Sequence, residues 1–413
     1  MMRIVDTSQV NRLLARKAAR MSEAESVVRP ILDDVRLRGD RALLEYARKF
    51  DRLERKSVAV PLRELEEARS RLSPGFRAAV RTASRNIRRF AEMQMPRPKS
   101  EVIAPGLKLG QIVRPLDTVA AYIPAGRYPL PSTLLMTVIP AQVAGVGNIC
   151  VATPKAVDEI FGTAAHLKVP HVFQMGGAHA IAAFAYGTRT VPRADRIVGP
   201  GSIWVAAAKK LVAGETGIDF VAGPTEILLL AEEGNPAWIA ADMLAQAEHD
   251  VDASAIFLTT SKRLALAVAR EVGRQLETLP TAPVARKAID RNSAIILVDS
   301  MEQAVEISNR FAPEHLSIPN ASLLTLVRHA GSVFIGPHSP EAAGDYASGP
   351  NHVLPTSGAA RLRGGLSAAD YVKVISTQQL SAAALRNLGP AITILARAEG
   401  LEAHARSVEA RAK

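Results

Sequence analysis

The chain has 413 residues, 48% apolar and 22% charged, with a formal net charge of +11 and a single cysteine. That length exceeds one ordinary hydrophobic core, so two domains with appendages are expected. No apolar run reaches the length of a membrane span, the first residues lack the apolar core of a secretory signal, and one cysteine rules out an internal disulfide, so a cytoplasmic protein with no membrane partner is expected.

Residues 1–20, MMRIVDTSQVNRLLARKAAR, read as an amphipathic N-terminal helix. The helical period continues to about residue 95, broken by turn signals at Arg38-Gly39-Asp40 and Ser73-Pro74-Gly75. This part carries the whole charge excess. Residues 1–100 hold 24 Lys/Arg against 13 Asp/Glu, a surplus of 11, and the remainder holds 27 of each. Arg81, Arg85, Arg88 and Arg89 recur at helical spacing, which admits a nucleic-acid interface. No stacking aromatics are interleaved and acidic residues are scattered throughout, so a solvated helical face is the better reading. No nucleic-acid partner is expected. The region lacks Cys and His and reads as scaffold, and MPRPKS closes it.

From residue 118 the texture changes. VAAYIP, NICVAT, PHVFQM and DRIVGPG are short apolar runs separated by helical stretches such as STLLMTVIPAQVAGV and HAIAAFAYG. Such alternation predicts an α/β sheet, mostly parallel. Cys150 lies within NICVAT and reads as a buried strand position. Glycine turns follow three of the runs, at Pro124-Ala125-Gly126, Gly176-Gly177 and Gly199-Pro200-Gly201. Open α/β sheets place ligands at such strand ends, but the GxGxxG fingerprint is absent, so the pattern alone does not establish a nucleotide site.

A second α/β portion runs from 224 to about 360, with strands at EILLLA, SAIFLTT, SAIILVD and GSVFIG and helices at 236–249, 262–277 and 301–311. Asn235 caps the first of these helices and Pro236 opens it. Beyond Gly364-Gly365 the chain reads as helical again, through SAADYVKVIS to the terminus, and needs a surface to pack on.

Gln246 and His249 end the helix that begins at Pro236. Three apart, they share one face, and an amide oxygen beside an imidazole nitrogen suits a metal such as zinc. A helix end exposing polar groups is the plainer alternative. Other polar clusters are Glu314-His315 in FAPEHLS, Asp345 in the segment from Glu341 to His352, and His404 after Glu399 in the tail. Each is weak alone. Together Gln246, His249, Asp345 and His404 offer a coherent zinc set, which leaves Glu314 and His315 as acid/base groups.

The motifs AGPTEILLLA followed by QAEH, FAPEHL, GDYASGPNHVLPT, and GLSAADYVK with the tail AEGLEAH resemble the histidinol dehydrogenase family from about residue 20 to the end. The resemblance implies two incomplete Rossmann-like domains with parallel-rich sheets, a helical N-terminal segment and a C-terminal tail. The expected boundaries are a helix at 1–20, a larger α/β domain of 21–120 and 224–365, an inserted NAD-binding domain at 121–223, and a helical tail at 366–413 exchanged in a homodimer. It further implies one zinc per subunit on Gln246, His249, Asp345 and the tail's His404, the last crossing from the second subunit. Glu314 and His315 are the implied acid/base residues, and Thr225, His315 and Glu399 join the metal ligands in holding L-histidinol. The implied reaction is the NAD-dependent, four-electron oxidation of histidinol through its aldehyde to histidine.

The cofactor positions depart from the family pattern. Tyr122 of the YxPxG turn is retained. His179 stands where a Gln usually follows the Gly-Gly-Ala turn, and Ser202 where an Asn usually ends GPGN. These changes leave two alternatives: a paralog oxidising another amino alcohol or a sulfonated diol, and a non-catalytic protein whose basic N-terminal helices meet nucleic acid.

Overall fold

The structure, a computed structural model, describes residues 2–11, 21–124 and 128–412. In chain order the elements are β1 (Ile4–Val5), α1 (Met21–Arg38), α2 (Asp40–Asp51), α3 (Leu62–Arg71), α4 (Pro74–Gln94), β2 (Lys99–Ala104), β3 (Leu107–Pro115) and β4 (Thr118–Tyr122). There follow α5 (Pro131–Ala144), β5 (Asn148–Thr153), α6 (Asp158–His166), β6 (His171–Gln174), α7 (Gly177–Tyr186), β7 (Arg196–Val198), α8 (Ile203–Val212) and β8 (Gly217–Ile218). The second half holds β9 (Glu226–Leu230), α9 (Pro236–Ala247), β10 (Ser254–Thr259), α10 (Lys262–Thr278), α11 (Ala282–Asn292), β11 (Ala294–Leu297), α12 (Met301–Phe311), β12 (His315–Ile318) and β13 (Ser332–Ile335). The chain ends with α13 (Glu341–Tyr346), β14 (Val372–Leu380), α14 (Ala382–Ala398) and α15 (Glu402–Ala412).

Two parallel sheets carry the fold. The first has the order β6-β5-β4-β7-β8, so successive strands run outward from β4 and then return to its other side. The second repeats that progression from β9, in the order β1-β11-β10-β9-β12-β13. Each is an incomplete Rossmann-like sheet, as expected, with a switch point beside its first strand. Strand β9, EILLL, is buried at every position because helices cover both faces. Its four apolar side chains, Ile227 to Leu230, contribute roughly 1.5–3 kcal/mol of burial energy each.

Three expectations about organisation differ from what is observed. Residues 4–5 form an edge strand paired with β11 and residues 7–9 a 3-10 turn, so helical backbone begins only at Val10. Ile4 and Val5 are both β-branched and complete an open sheet edge, which outweighs the helical period. Residues 12–20 of the expected helix lie outside the described residues. Helices α1 and α2 pack with Ala120, Tyr122 and Phe173 on one face of the first sheet, and α3 and α4 pack with Ile139, Ile149 and Ile160 on the other. The expectation had grouped 21–120 with 224–365; the apolar stripes of α1–α4 meet the first sheet instead. Finally, SAADYVKVIS is a 3-10 turn at Ala368–Tyr371 followed by β14, not a helix. Strand β14 pairs antiparallel with β3 along its whole length, which satisfies the backbone of a VKVIST run rich in β-branched residues.

The third sheet, β14-β3-β2, stands largely exposed, as does the α14–α15 hairpin, which leaves Ile394, Leu395 and Leu401 in solvent. Among the described residues no helix is long and apolar enough to cross a membrane.

Candidate metal centre and active site

Helix α9 places the first part of the site. Asn235 caps it by accepting from Ala237 N, and Pro236 occupies the first turn. The helix runs back along β9, so its C-terminal end returns to the N-terminal edge of the second sheet. Thr225 and Glu226 begin β9 there, and His315 begins the adjacent β12, in register with Ile227. Strand β12, hidden in HLSI behind Pro313, was not among the expected strands; four residues after a proline carry too short a pattern. The cluster therefore sits at the opposite edge of its sheet from the usual ligand crevice.

Gln246 is fully buried. Its amide lies 2.6 Å from Thr225 Oγ1 and 3.1 Å from His315 Nδ1. Thr225 in turn donates to Glu314 Oε2 at 2.5 Å, and Glu226 N donates to the same oxygen at 2.9 Å. With Nε2 toward Thr225, the Gln246 oxygen faces Glu341 Oε1 at 2.9 Å. With the amide turned over, Nε2 donates to Glu341, but the one Thr225 hydroxyl proton must serve both Gln246 and Glu314. Either orientation sets two acceptors face to face unless an added proton or a cation lies between them.

The donors for that cation are close at hand. A nitrogen of His249 and carboxylate oxygens of Glu341 and Asp345 all lie within 4.8 Å of one another. His249 Nε2 is 3.8 Å from Asp345 Oδ2 and remains 45% exposed, so the centre opens to solvent on that side. Burial raises the Glu341 carboxyl well above the usual range, reinforced by the charges of Asp345, Glu314 and Asp242. Burial raises Asp345 as well, and His249 opposes it. Crowding of this kind favours a proton on the carboxyls or a cation shared between them.

His315 is 3% exposed, and its Nε2 has no hydrogen-bond partner among the described residues but lies 3.9 Å from Asp345 Oδ1. Its Nδ1 stands 3.6 Å from Glu341 Oε1 and 3.7 Å from Glu314 Oε2. Burial, then the neighbouring His249 and His352, push its pKa down to about 3, so the ring is neutral at physiological pH. His352 donates through Nδ1 to the Asp345 carbonyl at 2.8 Å and accepts from Thr133 Oγ1 at 3.2 Å. Burial lowers it to about 4. Thr133 belongs to the first turn of α5, so the C-terminal edge of the first sheet meets the metal cluster through this contact.

The structure thus brings together Thr225, Gln246, His249, Glu314, His315 and Asp345. Sequence reasoning passed over Glu341, His352 and Asp242. For Glu341 the signal was present: EAAGD sets it four residues before Asp345, on one helical face. Glu399 and His404 lie exposed on the α14–α15 hairpin, and among the described residues neither bonds to the cluster.

At the first sheet, Tyr122 is buried and its hydroxyl accepts from Gly177 N at 3.2 Å; burial lifts its pKa to about 12. His179 is 2% exposed, lies against Tyr46 and Phe50, and bonds through Nε2 to Asp51 Oδ2 at 2.7 Å. The same oxygen accepts from Gly176 N at 2.8 Å. His179 therefore faces the interior and fastens its turn to α2. Ser202 is exposed at the start of α8. Pro124 is described, whereas Ala125 and Gly126 of that turn are outside the described residues. Of the arginine cluster on α4, Arg88 donates to Gln142 of α5 and the others face solvent.

The model of the histidinol dehydrogenase family matches residues 14–412 of the chain. A histidinol dehydrogenase of Geobacter sulfurreducens is 47% identical over 412 residues, covering 97% of this chain and 96% of that one. One of Methanothermobacter thermautotrophicus is 44% identical, covering 98% and 97%. The crystal structure of histidinol dehydrogenase from Elizabethkingia anophelis superposes with a TM-score of 0.94 at 35% identity, over 99% of this chain and 98% of that one.

Proposed function

The chain belongs to the histidinol dehydrogenase family and is an oxidoreductase, and from that premise we propose that it converts L-histidinol to L-histidine by two successive two-electron oxidations. The observation that carries this reading is the metal-capable group of His249, Glu341 and Asp345, with Gln246 and the buried pair Glu314–His315 beside it. A hard or borderline divalent ion fits that donor set of amide oxygen, imidazole and carboxylate, with His404 of a second copy completing it. Zinc there would supply a fixed positive charge that orients the imidazole and amine of the substrate. NAD would supply the two-electron acceptor for each oxidation.

The protein's own groups divide the proton work. His315 Nε2, buried and without a hydrogen bond, takes the proton of the substrate hydroxyl as the alcohol becomes the aldehyde. The Gln246 amide, 3.1 Å from His315 Nδ1, holds the ring in place. Glu314, with Oε2 fixed by Thr225 and Glu226 N, accepts a proton from the water that adds to the aldehyde carbon. The resulting hydrate anion then gives up a hydride equivalent, two electrons and a proton, and releases one further proton to leave the carboxylate. Glu399, from the same exchanged tail as His404, faces the substrate's cationic end.

Limiting L-histidinol supplied to zinc-loaded protein with excess NAD tests the reading. Two NADH per histidinol are expected. One NADH would mean that the aldehyde is the product, and none would transfer the chain to another alcohol.

A further inference from the structure

Lys209 of α8 and Asp219, just past β8, form an ion pair whose side chains are 2% and 0% exposed. Burying two charges is expensive, and a well-packed apolar pair at such a place is often as stable. What the pair does here is local. Asp219 Oδ2 accepts from Gly199 N at 2.8 Å, and Lys209 Nζ donates to Gly199 O at 3.0 Å, so both backbone polar groups of one glycine are held by the two charges. Gly199 has φ +112°, and a Cβ there would collide with Tyr122 O. The turn is thus pressed against the end of β4, at the switch point of the first sheet, and delivers Ser202 and α8 to that edge. Asp219 Oδ1 also accepts from Phe220 N at 2.6 Å, and the Asp219 carbonyl accepts from Arg363 at 2.6 Å. From Phe220 the chain needs only a few residues to reach Thr225 in the catalytic cluster.

We propose that Lys209 and Asp219 are a positioning pair for the dinucleotide. They lock the 199–202 turn against Tyr122 and tie it to the segment that ends in Thr225, so the cofactor turn and the substrate hydroxyl hold one spacing. Because Gly199 N and O are already engaged, the turn binds through Ser202 and the start of α8 and not through a glycine cradle for the diphosphate. This inference rests on the proposal that NAD is the electron acceptor.

The test uses full-length, zinc-loaded protein with Trp238→Phe, which leaves Trp204, in the first turn of α8 and 45% exposed, as the reporter of NADH binding. Lys209→Met/Asp219→Asn removes both charges while Asn still accepts from the backbone. This double variant is expected to melt near the parent and keep its zinc content and its KM for histidinol, while the Kd for NADH and the KM for NAD rise about tenfold or more. Lys209→Arg keeps the charge but cannot place one compact donor between Asp219 and Gly199, and should weaken NADH several-fold; it decides the matter should the double variant fail to fold. Parental NADH affinity in the folded double variant, or in Lys209→Arg where only that variant folds, overturns the positioning role. A parent that binds no NADH overturns both the cofactor reading and the inference built on it.

Discussion

Asp242 shows what the site costs at the scale of one residue. It lies one helical turn before Gln246, and burial alone raises its pKa from 3.8 to about 6. A carboxyl with a folded pKa above its unfolded value favours the fold below pH 4 and loses that contribution as pH rises through 6. Asp242→Asn should therefore stabilise zinc-free protein by about 2 kcal/mol at pH 8 and by nothing measurable at pH 4. Urea denaturation at both values checks this, and equal effects at the two would remove the electrostatic cause. Glu314→Gln separates the half-reactions. Aldehyde formation, trapped with a carbonyl reagent, should stay within about threefold, while oxidation of added aldehyde drops by about a hundredfold or more. Cys150 is buried on β5 and its thiol is pushed up to about 12. Disulfide reagents at pH 8 should leave it unlabelled until the protein is unfolded, which would confirm a packing role.

Among the elements, β14 departs furthest from its sequence reading. SAADYVKVIS contains enough alanine and spaced apolar residues to suggest a helix, yet VKVISTQQL has a nine-residue partner in β3. That partner lies more than 250 residues earlier in the chain, beyond any local pattern. Gly110 keeps the three strands together, since a Cβ there would come within 2.8–2.9 Å of Lys99 O, Ser100 Cβ and Thr377 Oγ1. Gly110→Val is expected to speed amide exchange across 99–115 and 372–380 by about tenfold or more while 226–259 keeps its protection. Uniform acceleration would mean that this sheet is not a separate cooperative unit. Helix α9 shows the opposite case: its Asn235 cap and first-turn Pro236 were readable, because each acts within a single turn.

Across the whole molecule, the exposed third sheet and the apolar face of α14–α15 suit an exchanged tail, and an exchange has a sharp consequence. Glu314→Gln and His404→Ala each stop histidine formation if the two residues carry the roles proposed for them, and histidine formed is the activity to follow. Unfolded together and refolded, half the dimers would be mixed, and one site in each would join an intact Glu314 to an intact His404. Recovery of about a quarter of parental activity is expected for a two-fold dimer. No recovery would place Glu399 and His404 at their own chain's site or remove them from it.

The sequence by itself determined the parallel runs, the α9 cap, the metal-capable spacing of Gln246 and His249, and the family. These depend on local period, local capping and motifs that stay contiguous. Only the tertiary structure decided that α1–α4 cover the first sheet, that Ile4–Val5 closes an edge of the second, and that β14 reaches back to β3. It also turned His179 inward to Asp51 and gathered Glu341, His352 and Thr133 around Asp345. The physical reason is the same in each case. These side chains are distant in sequence and ordinary in type, and what they do is set by burial and by which charge or sheet edge they meet once the chain has folded.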